Sequence, residues 1–223
     1  MTTQKTLFIT GASRGIGKAL AKKFLEENYS VIGTSTSGTI PFAHKNLTML
    51  KLDLSSEKSI EKCVSDFLKL NKKIYILINN AGIWGGFEDD IIRIDVLRKV
   101  LEVNLFGTIN LTEKLIPSMN SSGKIINISS RAGSLSYKGT HHANHPDYNI
   151  SKAALNMYTI SLASKLKNKN ILVASIHPGW VKTDMGGKGA DITPEQAAED
   201  IYKRIITLKE TGQFWFKQEK FPW

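Results

Sequence analysis

The chain of 223 residues has a single cysteine, Cys63, so it cannot form an internal disulfide, and nothing marks it as a disulfide-stapled secreted scaffold. No basic segment followed by an apolar run opens it, so no signal peptide is expected and a cytoplasmic location is the default expectation. Its longest apolar stretches are strand-sized, which excludes a membrane-spanning helix from the expected elements. Runs of five or more like charges are missing, and aromatics do not interleave with the lysines. The formal charge of +10 is therefore read as a solvated basic surface, and neither nucleic acid nor membrane is expected as a partner. No internal repeat, low-complexity tract or linker divides the chain. One domain over 1–223 is expected.

What is present is an alternation of short apolar runs and amphipathic stretches. Thr6 to Thr10 reads as a strand, and a helical pattern with Ala19, Leu20, Phe24 and Leu25 on one side follows a glycine turn. Further strands are expected at 31–34, 47–54, 74–78, 124–129, 171–177 and 213–216. Helices are expected at 56–70, 95–117, 148–165 and 194–208. Repeated βα units with nearly continuous apolar strands imply an α/β fold: a Rossmann-like, doubly wound, parallel sheet with helices on both faces. Two long irregular stretches follow strands and should lie over the carboxyl edge of the sheet, where open α/β folds bind ligands.

Between the first strand and helix stands Gly11-Ala12-Ser13-Arg14-Gly15-Ile16-Gly17. Glycines there let the backbone turn tightly and approach a pyrophosphate, and the helix beginning near Gly15 offers free N–H groups and the positive end of its dipole. The spacing differs from G-x-G-x-x-G, so the turn alone does not license that reading and has a plain tight connection as its alternative. After the second strand come Thr34-Ser35-Thr36-Ser37, with no carboxylate. An acidic residue there would accept from a ribose 2′-hydroxyl and repel a 2′-phosphate. Hydroxyls such as Thr36 together with the Arg14 guanidinium suit a phosphate instead, so NADP(H) is expected in preference to NAD(H).

Tyr148 and Lys152 stand four residues apart in a predicted helix and so share one face. A free tyrosine has a pKa of about 10, so at neutral pH it already carries the proton that carbonyl reduction requires. A nearby ammonium favours the phenolate, and a hydroxyl such as Ser130 would hold a substrate oxygen beside it. Taken alone, such a pair is an ordinary feature of helix surfaces.

Together these segments resemble the short-chain dehydrogenase/reductase family over essentially the whole chain: Thr10 to Gly17, Asp53 in LDLS, Asn79-Asn80-Ala81-Gly82, Asn104 in NLFG, Ser129-Ser130, Tyr148-xxx-Lys152 and Pro178-Gly179-Trp180-Val181-Lys182-Thr183, while Gly212 to Trp223 and the HPGWVKTDMGG segment resemble its carbonyl-reductase branch. The resemblance implies a sheet of mostly seven parallel strands and a catalytic set of Asn104, Ser130, Tyr148 and Lys152. Ser130 would orient the carbonyl oxygen, Tyr148 would protonate it, Lys152 would hold the nicotinamide ribose and lower the tyrosine pKa, and Asn104 would support a water-mediated relay. By the same resemblance Asp53 and Leu54 would meet the adenine, Asn80, Ala81 and Gly82 would flank the adenosine, and Pro178, Gly179, Val181 and Thr183 would line the nicotinamide end. The substrate, a small carbonyl compound, would enter among loops 81–94, 131–147 and 179–193, with Trp84 and Trp180 as candidate walls. The short stretch after Thr183 implies a reduced lid. A homodimer or homotetramer is the implied assembly.

His141, His142 and His145 lack the further ligands a metal site needs, so no metal is expected. Cys63 and His177 are read as buried structural residues. The implied function is NADPH-dependent reduction of an aldehyde, ketone or quinone. The alternative is a dinucleotide-binding regulator of the same fold with weak or no catalysis.

Overall fold

The computed structural model describes residues 4–86, 92–137 and 145–223. The strands are β1 (Thr6–Ile9), β2 (Ser30–Ser35), β3 (Leu47–Lys51), β4 (Ile74–Asn79), β5 (Met119–Ile128), β6 (Leu172–His177), β7 (Gln213–Phe216) and β8 (Glu219–Lys220). The α-helices are α1 (Gly15–Glu26), α2 (Glu57–Leu68), α3 (Ile94–Leu101), α4 (Thr108–Leu115), α5 (Pro146–Leu166) and α6 (Pro194–Thr207). One eight-stranded sheet runs β3-β2-β1-β4-β5-β6-β7-β8. The pairings from β3 across to β7 are parallel, and β8 adds an antiparallel edge of two residues. The order reverses between β1 and β4, and this opens the crevice at the carboxyl edge.

Alternation along the strands divides the core in two. Leu7, Ile9, Ile126, Ala174 and Trp215 pack with α1 and α6 on one face. Phe8, Ile32, Leu77, Ile125 and Val173 pack with α2, α4 and α5 on the other. Cys63 and Phe67 of α2 are buried in that second layer, and burial pushes the Cys63 thiol up to about 12, out of the reactive range. His177 is also buried, and the loss of water holds it neutral, down to about 3. Among the described residues no helix is long and apolar enough to cross a membrane.

Several expected boundaries move. The strand expected over 47–54 ends at Lys51, and the Asp53 backbone N–H goes to the Ser59 hydroxyl. The strand expected from Lys124 begins at Met119. The helix expected from Tyr148 begins at Pro146, whose missing N–H suits a first helical turn. The single helix expected over 95–117 is interrupted by a π-helical segment, Glu102–Gly107, between α3 and α4. There the Thr108 hydroxyl donates to the Val103 carbonyl oxygen, 3.1 Å away, which takes up an acceptor in the widened turn.

Candidate active site

The glycine turn joins β1 to α1 at the crevice. Gly11 has φ +68° and Gly15 φ +54°, and a Cβ on Gly17 would collide with the Gly11 carbonyl oxygen. Only glycine fits such a turn. Arg14 caps α1 without a side-chain hydrogen bond, and no acidic residue stands in the first helical turn. The helix N-terminus therefore keeps its N–H groups and positive potential for an anion, and a dinucleotide pyrophosphate fits the residues present. Ser13 is half-buried in the turn, and Ile16 lies at the start of α1.

Thr10 and Asn80 brace this turn from below. The Thr10 hydroxyl accepts from the backbone N–H groups of Asn80 (3.0 Å) and Ala81 (2.9 Å). The Asn80 amide donates to the carbonyls of Thr10 (2.9 Å) and Gly11 (3.2 Å). The Asn80 side chain is thus committed to the protein, leaving the backbone of Ala81 and Gly82 to border the crevice. Thr10 opens the segment Thr10 to Gly17 that carries the family resemblance, but its bracing role is given only by these hydrogen bonds.

At the end of β2, Thr36 is exposed and Thr34 is buried. The Asp53 carboxylate accepts from the backbone N–H and hydroxyl of Ser55, at 2.9 and 2.7 Å, while the Leu54 side chain is buried in the core. Arg14 forms an ion pair with Asp184, bringing the glycine turn against the segment after β6. Both partners are largely exposed, and such a pair is weak. In that segment Gly179 has φ +90°, Val181 is buried and bridges to Ile192, and Thr183 packs against Gly15. Pro178 and Gly179 are half-buried, and the Trp180 indole donates to the Gly186 carbonyl. Only turns and bends separate Thr183 from the bridge at Ile192, consistent with a reduced lid.

Asn104 lies in the π segment. Its amide oxygen accepts from the Ile83 N–H (2.8 Å), and its amide nitrogen donates to the Ile83 carbonyl (2.8 Å) and the Ser151 hydroxyl (3.0 Å). Asn104 therefore clasps the loop after β4 to α5. Gly82 sits between it and Lys152: a Cβ there would come 3.2 Å from Asn104 Oδ1 and 3.6 Å from Lys152 Nζ. Ser151, missed in the sequence, donates its hydroxyl to the Tyr148 carbonyl at 2.7 Å.

On α5, Lys152 is buried, with its ammonium donating to the Ile128 carbonyl at 2.9 Å and lying 5.5 Å from the centre of the Tyr148 ring. Burial brings Lys152 down to about 8. Burial also pushes Tyr148 up to about 12, against the pull of a hydrogen bond with the Ser130 hydroxyl. Desolvation of the phenolate outweighs the Ser130 hydrogen bond that favours it. His145 precedes α5 in a left-handed conformation, and its ring meets Trp84 at 4.8 Å between centroids. His141 and His142 lie outside the described residues.

A glycine turn at a helix N-terminus, opening on the switch point of a parallel sheet, defines a dinucleotide-binding α/β protein. Comparison with known proteins takes this further. A family model described as short chain dehydrogenase matches residues 5–206. The chain is 36% identical to a 3-oxoacyl-(acyl-carrier-protein) reductase from Aquifex aeolicus, over 81% of this chain and 75% of that one. Among solved structures it superposes on carbonyl reductase Sniffer of Drosophila melanogaster with a TM-score of 0.88 and 28% identity, covering 99% of this chain and 100% of that one. It also superposes on an NADPH-bound carbonyl reductase from chicken fatty liver with a TM-score of 0.90 and 27% identity, covering 99% and 94%. The chain belongs to the short-chain dehydrogenase/reductase family, whose members are oxidoreductases that bind a nicotinamide cofactor.

Proposed function

We propose that the chain is an NADPH-dependent carbonyl reductase, with Tyr148 as the general acid. The observation that carries this reading is the geometry: the Tyr148 phenol is hydrogen-bonded to the Ser130 hydroxyl and lies beside the buried ammonium of Lys152, and burial raises its pKa. A group that keeps its proton throughout the neutral range suits donation to a carbonyl oxygen better than removal of a proton from an alcohol. The reading is further supported by the superposition on an NADPH-bound carbonyl reductase.

When bound, the reduced nicotinamide supplies a hydride to the carbonyl carbon. The Ser130 hydroxyl donates a hydrogen bond to the carbonyl oxygen and holds it against Tyr148. Tyr148 passes its proton to that oxygen as negative charge develops there, giving the alcohol. Lys152 stabilises the phenolate left behind until it is reprotonated, and it would hold the ribose hydroxyls. Asn104 keeps the Ile83 loop closed over Lys152. The glycine turn and Gly82 would hold the dinucleotide backbone, the Val181 and Thr183 segment would hold its nicotinamide end, and Arg14 with Thr36 would meet the 2′-phosphate. Arg14 would exchange its weak surface pair with Asp184 for a charge-assisted contact to a dianion.

The test is consumption of NADPH with a panel of aldehydes, ketones and quinones. Turnover should fall at least 100-fold in Tyr148→Phe, and an unchanged rate in that variant would remove Tyr148 as the acid. In thermal shift, NADPH should stabilise the chain more than NADH, and Arg14→Ala should erase the difference. Equal shifts in the wild type, or a larger one with NADH, contradict the cofactor preference.

A further inference from the structure

The buried face of α5 is polar in one narrow stripe. Lys152, Asn156 and Thr159 follow Tyr148 at intervals of four, four and three residues, so all lie along one side of the helix. Each of the three is 4% exposed or less and reaches the carboxyl half of β5 or the turn after it. Thr159 accepts from the Asn127 amide at 2.8 Å. Lys152 donates to the Ile128 carbonyl. Asn156 accepts from the Ser129 hydroxyl at 2.7 Å and donates to the Gly133 carbonyl at 3.1 Å.

The last two bonds fall on either side of Ser130. Ser130 begins a short 3-10 turn, Arg131–Gly133, which it closes by accepting from the Ala132 N–H on its hydroxyl and from the Gly133 N–H on its carbonyl. The turn is compact, and the Asn156 carboxamide grips it at residue 129 and at residue 133. Asn156 is part of the same rigid helix as Tyr148, about 12 Å further along the axis at 1.5 Å per residue. We infer that Asn156 is a positioning residue that fixes the Ser130 hydroxyl relative to Tyr148 and Lys152 by fastening both ends of the Ser130 turn to α5. This rests on the reading of Ser130 and Tyr148 as the groups that hold and protonate the carbonyl oxygen.

An asparagine suits the task because it presents one acceptor and one donor on a short, stiff side chain, and both are used. Alanine would leave the Ser129 hydroxyl and the Gly133 carbonyl buried without partners, and the turn would move to satisfy them. A shift of about 1 Å between reacting groups is enough to slow chemistry by two orders of magnitude.

The test uses the full chain with NADPH and the carbonyl compound of the panel that the wild type reduces fastest. Asn156→Ala should lower kcat at least 10-fold while leaving the dissociation constant of NADPH within 3-fold. In protein labelled with carbon-13 at tyrosine Cζ, the Tyr148 resonance should move in the direction it moves in Ser130→Ala. Ser129→Ala, which breaks one of the two bonds and removes only a hydroxyl, should lower kcat 3- to 10-fold. The double variant should be no slower than Asn156→Ala alone, because the two residues share that bond. If Asn156→Ala fails to fold, Ser129→Ala decides the question by the same readouts.

A kcat within 3-fold of wild type, with an unmoved Tyr148 resonance and a lowered melting temperature, would reduce Asn156 to a core polar group and overturn the inference. So would an equal loss in kcat and NADPH affinity. Failure of the underlying reading looks different: Tyr148→Phe would turn over like the wild type, whatever Asn156→Ala did.

Discussion

Lys152 shows what the site demands of a single residue. Its ammonium is buried against the Ile128 carbonyl and brought down to about 8 from the usual 10.5. A lysine whose folded pKa is lowered binds its proton more weakly than in the unfolded chain, so its burial destabilises the fold below pH 8. That penalty fades as pH rises from about 8 to 10.5, where the unfolded lysine also loses its proton. At neutral pH it amounts to about 3 kcal/mol. Lys152→Met is therefore expected to raise stability at pH 7 by about 1–3 kcal/mol in urea unfolding, with the gain shrinking by pH 10.5, while reduction is lost. A less stable Lys152→Met at pH 7 contradicts this account. The same deprotonation should slow wild-type reduction as pH rises through 8. The residues of the candidate site were legible as a set because their order along the chain is rare. The glycine turn, Asn104, Ser130, Tyr148 and Lys152 are ordinary one by one and became readable as a candidate site only through their joint resemblance to the family. The roles of Thr10, Ser151 and Asn156 did not, because a threonine, serine or asparagine looks the same whether it braces a site or caps a turn.

At the scale of elements, apolar periodicity located most strands and helices and failed where another interaction sets the geometry. The segment 95–117 carries an apolar stripe through Leu97, Val100, Leu101, Leu105 and Ile109, and nothing in that stripe reports the π turn that breaks it. Tertiary contacts fall within the break: Asn104 reaches the Ile83 backbone, and Gly107 lets the Leu54 carbonyl approach the helix closely. A Cβ on Gly107 would collide with that carbonyl. Gly107→Ala, which in an ordinary helix interior gains about 0.5–1 kcal/mol, should here destabilise the chain by about 1–3 kcal/mol. It should also weaken NADPH binding, because Asp53 and Leu54 move with the clash. A stabilised Gly107→Ala in chemical denaturation would show that the π turn is not held from outside. α5 hid its orientation for a related reason: its inner stripe is polar, so the usual contrast between faces is missing.

For the whole molecule, the order of apolar strands and amphipathic helices implied the parallel sheet, and the structure has it, with β8 added. Two exposed residues, Glu219 and Lys220, paired at an edge carry no pattern that a sequence can display. The parallel sheet sets the crevice, the crevice sets where β1, β4, β5 and β6 deliver their loops, and α5 brings Tyr148 and Lys152 to meet them. The central claim is that this assembly moves a hydride from a nicotinamide to a carbonyl carbon while Tyr148 supplies the proton. The most direct measurement follows deuterium from NADPH labelled at nicotinamide C4 into the product of the panel substrate reduced fastest. The account predicts deuterium bonded to the carbinol carbon, in one stereochemical sense from one face of the nicotinamide, and none in Tyr148→Phe beyond about 1% of the wild-type rate. Cofactor binding with no label reaching any carbonyl compound, or label transfer at full rate in Tyr148→Phe, would contradict it.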